Sequence, residues 1–233
     1  RFGDGRLTVK GGVREVLAAE MLEALGVYTS KAFSLFETGE QLTRGDEPSP
    51  TRSSVLVRLS HSHIRFGTFQ RLAFFERPDL MHQLIEHAVA AYYPHHLNLN
   101  AEARAAALFG EVVEANARLA ASWMAAGFVH GVLNTDNLNI TGESFDYGPW
   151  RFVPTSQPGF TAAYFDERGL YAFGRQPEAV SWALAQLGGA MLLACSQNAL
   201  ETELAQFGPA YQRGLRESMF ERLNVVPGDL AAD

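Results

Sequence analysis

A chain of 233 residues with 47% hydrophobic and 19% charged residues can bury a sizeable core, which excludes a disordered or low-complexity protein. Its net charge of −7 argues against a general surface for nucleic acid or anionic membrane but allows a local basic pocket for phosphate. The single cysteine, Cys195 in the apolar run AMLLACS, excludes an intrachain disulfide, fits a reducing compartment and reads as packed core. That run is too short and too Gly-rich to span a bilayer, and no signal peptide opens the chain, which starts at Arg1 and reads as part of a longer protein.

Taken in order, residues 1–6 form a Gly-punctuated loop. Gly11-Gly12 then opens a helical pattern, VREVLAAEMLEAL, with apolar residues at Val13, Leu17, Met21 and Leu25 as its predicted buried stripe. Two strand-like runs follow, near Ser30–Gly39 and Ser53–Ser60, joined by the polar linker TRGDEPSPTR. Helical patterns begin at Pro78 with PDLMHQLIEHAVAAYY and continue in a long segment that ends at Gly127. The stretch from Phe152 to Arg168 is loop-rich, and two more helices are predicted at about 176–195 and 201–223. Trp150, Phe152 and Trp182 read as core aromatics.

The chemistry concentrates between His130 and Pro149, in HGVLNTDNLNITGESFDYGP. Asp136 and Asn137 form an adjacent pair, and Asp146 follows nine residues after the Asn, inside Asp-Tyr-Gly. Hard divalent cations take oxygen ligands, commonly one or two protein groups together with substrate phosphates, and Asn137 and Asp146 suit that task. The intervening LNITGESF alternates apolar and polar residues around a Gly-containing turn, which predicts a short hairpin that brings Asp146 beside Asn137. This layout resembles the catalytic core of protein kinases, where a His-x-Asp-xxxx-Asn loop and an Asp-Phe-Gly motif hold magnesium on a nucleotide. One position differs. Val132 stands where a kinase carries its catalytic Asp, which leaves Asp136 as the loop's only carboxylate.

Longer motifs carry a closer resemblance: FGDGR from Phe2, RLSHSHIRFGTFQ from Arg58, GFVHGVLNTDN from Gly127, FDYGPWRF from Phe145 and FGRQPEAVSWAL from Phe173. In this order, over nearly the whole chain, they are similar to the selenoprotein O family of protein adenylyltransferases. The resemblance implies an α+β, kinase-like, two-lobed fold, with a truncated small lobe at 1–72 and a mostly helical large lobe at 73–233. It implies transfer of AMP from ATP to Ser, Thr or Tyr hydroxyls of protein substrates, with pyrophosphate released, in the bacterial cytoplasm and without a nucleic-acid or membrane partner. It further implies Mg²⁺ or Mn²⁺ on Asn137 and Asp146, phosphate contacts from Arg58 and Arg65, nucleotide contacts from Asp4 and Gly5, and Asp136 at the acceptor hydroxyl. Glu15 would be the helix carboxylate that a small lobe pairs with a strand lysine, here lying before Arg1.

Residues alone do not separate AMP transfer from phosphoryl transfer, because both use the same ion clamp. An atypical kinase moving the γ-phosphate is one alternative. An inactive pseudokinase acting as a binding module is another; Val132 favours it and the retained Asn137 and Asp146 oppose it. His130 reads as a structural brace of the loop. His61, His63, His95 and His96 match no zinc spacing, and His82 and His87, five apart, do not share a helix face, so no transition-metal site is expected.

Overall fold

Helix α4 (Ala101–Ala126), 26 residues long, is the axis of the molecule, and its ends show why it starts and stops where it does. Asn100 caps the N-terminus by accepting from the Ala103 amide at 2.9 Å. At the C-terminus Gly127 takes the left-handed conformation, φ 66°, which ends the helix at no steric cost and turns the chain into β4 (Phe128–Val129). His130 follows directly. Twelve buried residues line α4, from Ala105 to Ala126, so it is covered on most sides rather than along one stripe.

The computed structural model describes residues 5–45 and 47–226. Before α4 come β1 (Leu7–Thr8), α1 (Val9–Ala24), β2 (Lys31–Leu42), β3 (Thr51–Leu59), α2 (Phe66–Phe74) and α3 (Pro78–Tyr92). After it come β4, β5 (Arg151–Phe152), α5 (Gln176–Met191), α6 (Gln197–Leu204) and α7 (Phe207–Leu223). The first three strands form an antiparallel sheet in the order β1-β3-β2, with Phe36 opposite Val55 and Leu35 opposite Leu56. The short pair β4-β5 lies at the foot of α4. The result is an α+β fold with small sheets and a mostly helical remainder, packed around one main core that runs from Ala18 to Ala210. No helix among the described residues is long and apolar enough to cross a membrane.

Several expectations are corrected. Three of the four residues of the stripe predicted to bury α1 are exposed, Val13, Leu17 and Met21 at 43%, 48% and 41% accessible, while Leu25 packs partly buried against the core. The buried face is Gly12, Glu15, Ala18, Ala19 and Leu22, because α1 approaches the sheet through small residues and directs its carboxylate inward. Phe33, Phe36, Val55 and Leu59 likewise stand exposed on the sheet. Trp150 and Phe152 pack on the core as expected, whereas Trp182 is 58% accessible on the outer side of α5. Helix α2 lies in a segment for which no helix was expected. The last helical stretch is two helices, α6 and α7, the second carrying Pro209 in its first turn, where its missing N–H is harmless.

Candidate functional site

The loop after β4 is held by a relay of buried polar groups. The His130 amide donates to Gln176 Oε1 at 2.9 Å, and Gln176 Nε2 donates back to the Phe128 carbonyl at 2.8 Å. The His130 ring is fully buried among Trp123, Phe128 and Tyr147. Burial pushes its pKa down to about 4, so the ring is neutral. The Val132 amide donates to Nδ1 at 3.3 Å, which places the ring proton on Nε2, facing Ser144 Oγ at 2.6 Å. Ser144 Oγ in turn lies 3.1 Å from the Asn137 carbonyl and 2.6 Å from that of Asp146. His130 is thus the brace that the sequence indicates, acting through Ser144 on the backbone of both candidate ligands.

The predicted hairpin forms. The Phe145 amide donates to the Asn137 carbonyl and the Asn139 amide to the Glu143 carbonyl, both at 3.0 Å, around a turn with Gly142 at φ 76°. A third segment joins: the Phe66 amide donates to the Leu138 carbonyl and the Ile140 amide to the Ile64 carbonyl, both at 3.1 Å. Arg65 is therefore set beside the loop, with its guanidinium 4.0 Å from the centre of the Phe145 ring and Nη1 donating to the Asp136 carbonyl at 3.1 Å. Asp136 is exposed, and its amide donates to Asn134 Oδ1 at 3.0 Å. Its carboxylate lies against the first turn of α2, where Gly67 leaves the room: a Cβ there would come within 2.1 Å of Oδ1.

Glu15 enters from α1. Its carboxylate accepts from the Gly148 amide at 2.8 Å and the Tyr147 amide at 3.1 Å, and meets Arg58 Nη1 at 3.1 Å. The partner of Glu15 in this chain is thus Arg58, which also donates to Ser30 Oγ at 2.9 Å. Burial raises the Glu15 pKa, against the lowering effect of Arg58 and the Gly148 and Tyr147 amides. The hydroxyls of Tyr147 and Thr29 are hydrogen-bonded to each other, which ties the Asp-Tyr-Gly motif to the segment before β2.

Asp146 is half-buried, and its carboxylate has no hydrogen-bond or ion-pair partner among the described residues. Burial raises its pKa; Arg58 and then Arg65 pull it down, and Asp136 pushes it up. Those causes place the two arginines and the second carboxylate within electrostatic reach of Asp146. Asn137 is buried and its Nδ2 donates to the Val132 carbonyl at 2.9 Å, which leaves Oδ1 as its ligand atom. One carboxylate with no direct ion pair among the described residues and one amide oxygen, on a braced hairpin, fit a hard divalent ion. Asp146, Glu15, Arg58 and Arg14 line a cleft of about 880 Å³ whose outer rim reaches Tyr164 and Phe165. Gly5 is exposed with φ 71° and does not line that cleft, and Asp4 lies outside the described residues.

Sequence reasoning missed Glu143, Ser144 and Gln176. Glu143 is fully buried, and its Oε1 accepts from the His61 amide at 2.8 Å and the Ser62 amide at 3.2 Å, clamping the segment before Arg65 to the hairpin. A charged side chain inside an otherwise small-polar and apolar hairpin is the signal that could have found it. His95 and His96, which spacing left without a partner, both face Glu111 of α4.

These features define an α+β protein with a cleft lined by α1, β3 and the Asp-Tyr-Gly segment, into which a braced hairpin presents a carboxylate with no ion-pair partner among the described residues. A family model described as protein adenylyltransferase SelO matches residues 1–231, and the chain belongs to that family. It is 55% identical over 230 residues to the protein nucleotidyltransferase YdiU of Synechococcus elongatus, covering 99% of this chain and 46% of that protein. The proteins of the same name from Trichodesmium erythraeum and Pectobacterium atrosepticum are 52% and 39% identical, with 96% and 97% of this chain and 48% and 46% of those proteins covered. The chain spans about half the length of the curated relatives it matches.

Proposed function

We propose that this chain carries the nucleotide-transfer centre of a protein adenylyltransferase, which moves AMP from ATP to a protein hydroxyl and releases pyrophosphate. The observation that carries the reading is Asp146, a half-buried carboxylate with no hydrogen-bond or ion-pair partner among the described residues, within electrostatic reach of Arg58 and Arg65 and set on the same hairpin as Asn137. The family supports transfer of a nucleotidyl group. In this reading the chain is kinase-like in outline, with residues 1–72 forming part of a small lobe and 73–233 a helical large lobe.

Asn137 Oδ1 and Asp146 would hold Mg²⁺ or Mn²⁺, which when bound neutralises phosphate charge and orients the α-phosphorus. Arg65, fixed over Phe145, points a permanent cation at the phosphate tail and stabilises the negative charge that develops on the leaving pyrophosphate. Arg58 keeps Glu15 neutralised and, as a residue lining the cleft, adds positive potential where the phosphates would lie. Asp136 orients the acceptor hydroxyl and takes its proton late, and its contribution is chiefly positioning. Val132, which has no proton acceptor, serves through its carbonyl, which fixes the Asn137 amide. Gly5 and Asp4 remain candidates for nucleotide contact.

The test is intact-mass analysis of the full-length protein and acceptor proteins after incubation with ATP and Mg²⁺ or Mn²⁺, beside Asp146→Ala. A gain of one AMP mass that the variant loses supports the reading. A phosphate-sized gain, with label passing from γ- but not α-labelled ATP, replaces it with a kinase. ATP binding without any transfer makes the chain a binding module.

A further inference from the structure

We propose that the corner between α3 and α4 is a second, separate cation site, formed by His95, His96 and Glu111 and selective for a borderline divalent transition ion such as Zn²⁺, Ni²⁺ or Co²⁺. The 3₁₀ turn Pro94–His96 sets the two histidines side by side, with ring centroids 4.0 Å apart. Both Nε2 atoms converge on one oxygen of Glu111, at 3.0 Å from His95 and 2.9 Å from His96. All three ligand atoms lie within 4.8 Å of one another. On a common zinc ion with bonds of about 2.1 Å, neighbouring ligand atoms stand about 3–3.4 Å apart, so both N–O separations already suit a shared ion.

The backbone that carries these groups is fixed independently of any ion. Pro94 restricts the first residue of the turn, and the Leu97 amide closes it onto the Pro94 carbonyl at 3.2 Å. Arg104 Nη2 donates to the Leu97 and Leu99 carbonyls, both at 2.8 Å, and pins the connection to α4. Tyr93, the residue before the turn, donates its hydroxyl to the Ile140 carbonyl at 2.9 Å. A rigid turn facing a helix therefore presents three donors, of which two are imidazoles. Imidazole nitrogen selects borderline transition ions over Mg²⁺, which separates this site in chemistry from the all-oxygen pair Asn137 and Asp146.

Without an ion, both rings must carry their proton on Nε2 to donate to Glu111. With an ion, each neutral ring moves its proton to Nδ1 and gives the Nε2 lone pair to the metal, while the Glu111 carboxylate supplies the third ligand atom. Side-chain accessibilities of 61% for His95, 23% for His96 and 33% for Glu111 leave the outer side open for water to complete the coordination shell.

The experiment is equilibrium dialysis of the full-length protein against Zn²⁺ and Co²⁺, with the visible d–d absorption of Co²⁺ as a second readout. Four proteins are compared: unmodified, His95→Ala, Glu111→Gln and Asp146→Ala. The proposal expects one equivalent per chain at this site, affinity at least tenfold weaker in His95→Ala and Glu111→Gln, and no change at the site in Asp146→Ala. A melting temperature raised by Zn²⁺ in the unmodified protein and not in Glu111→Gln agrees with it. Uptake that is equal in the unmodified protein and both corner variants, or no uptake at all, overturns it.

Discussion

Arg58 and Glu15 meet at 3.1 Å, and the same carboxylate holds the Gly148 amide at 2.8 Å. This places one ion pair between helix α1, strand β3 and the Asp-Tyr-Gly motif, so three parts of the chain depend on a single buried charge. Only 16% of the Arg58 side chain and 9% of the Glu15 side chain are accessible. Removing the cation alone leaves an uncompensated carboxylate, which costs about 3 kcal/mol or more. Arg58→Ala is expected to lower stability by that order, and Glu15→Gln added to it is expected to restore part of the loss. Urea denaturation of the two single variants and the double variant measures the coupling; additive losses would show that the pair does not act as a unit.

The second prediction concerns acid. His130 has a folded pKa of about 4 against an ordinary value of 6.5. The unfolded chain therefore binds a proton that the folded chain refuses throughout that window. Stability attributable to His130 is fully present above pH 6.5 and is lost as pH falls towards 4, at up to about 1.4 kcal/mol per pH unit. His130→Gln, which cannot titrate, is expected to be less stable at neutral pH because it breaks the contact with Ser144, yet to show a shallower decline between pH 6.5 and 4. Denaturation midpoints measured at half-unit pH steps decide this, and parallel curves would remove His130 as the acid-sensitive group.

How much of this was legible in the sequence follows from chain distance. The hairpin that joins Asn137 to Asp146 could be read because ligands, turn and alternation all lie within ten residues of one another. The Arg58–Glu15 pair could not, since 43 residues separate its members and no local period connects a helix carboxylate to a strand. The same holds for His95 and Glu111, 16 residues apart on different elements. The buried face of α1 was misread for another reason. Three of its apolar residues, Val13, Leu17 and Met21, point outward, and close approach to the sheet selects Gly12, Ala18 and Ala19, which carry a weak hydrophobic signal. Trp182 shows the converse, a large aromatic on a helix whose inner face is filled by Ala183, Leu184 and Leu187.

If Asp146 is kept for a cation, it carries a measurable cost. Burial raises the Asp146 pKa, and Glu15 is shifted the same way, so the folded chain holds protons that the unfolded chain releases. For such groups stability falls as pH rises from the ordinary carboxylate range through the raised value. Asp146→Asn is therefore expected to stabilise the metal-free protein at neutral pH by on the order of 1 kcal/mol and to flatten that slope. Mg²⁺ or Mn²⁺ with ATP is expected to raise the melting temperature of the unmodified protein and to leave that of the variant unchanged. A variant that melts lower than the unmodified protein without metal would mean that Asp146 has a stabilising partner.

The sharpest probe of Asp136 leaves Asp136 itself in place. Gly67 sits in the first turn of α2, and a Cβ there would lie 2.1 Å from Asp136 Oδ1. Alanine favours helix over glycine by up to about 1 kcal/mol, so Gly67→Ala carries no large intrinsic penalty to folding. The carboxylate is exposed and can swing into solvent, which relieves the collision by moving the group away from its working position. If Asp136 orients the acceptor hydroxyl, a displacement of this size lowers the transfer rate by about 100-fold while ATP affinity and melting temperature stay close to those of the unmodified protein. Asp136→Asn, which keeps the size and removes the charge, is expected to retain more positioning than Gly67→Ala and to lose proton acceptance. Single-turnover transfer rates for the two variants, measured with saturating ATP and acceptor, separate placement from basicity. An unchanged rate in Gly67→Ala would take Asp136 out of the reaction altogether.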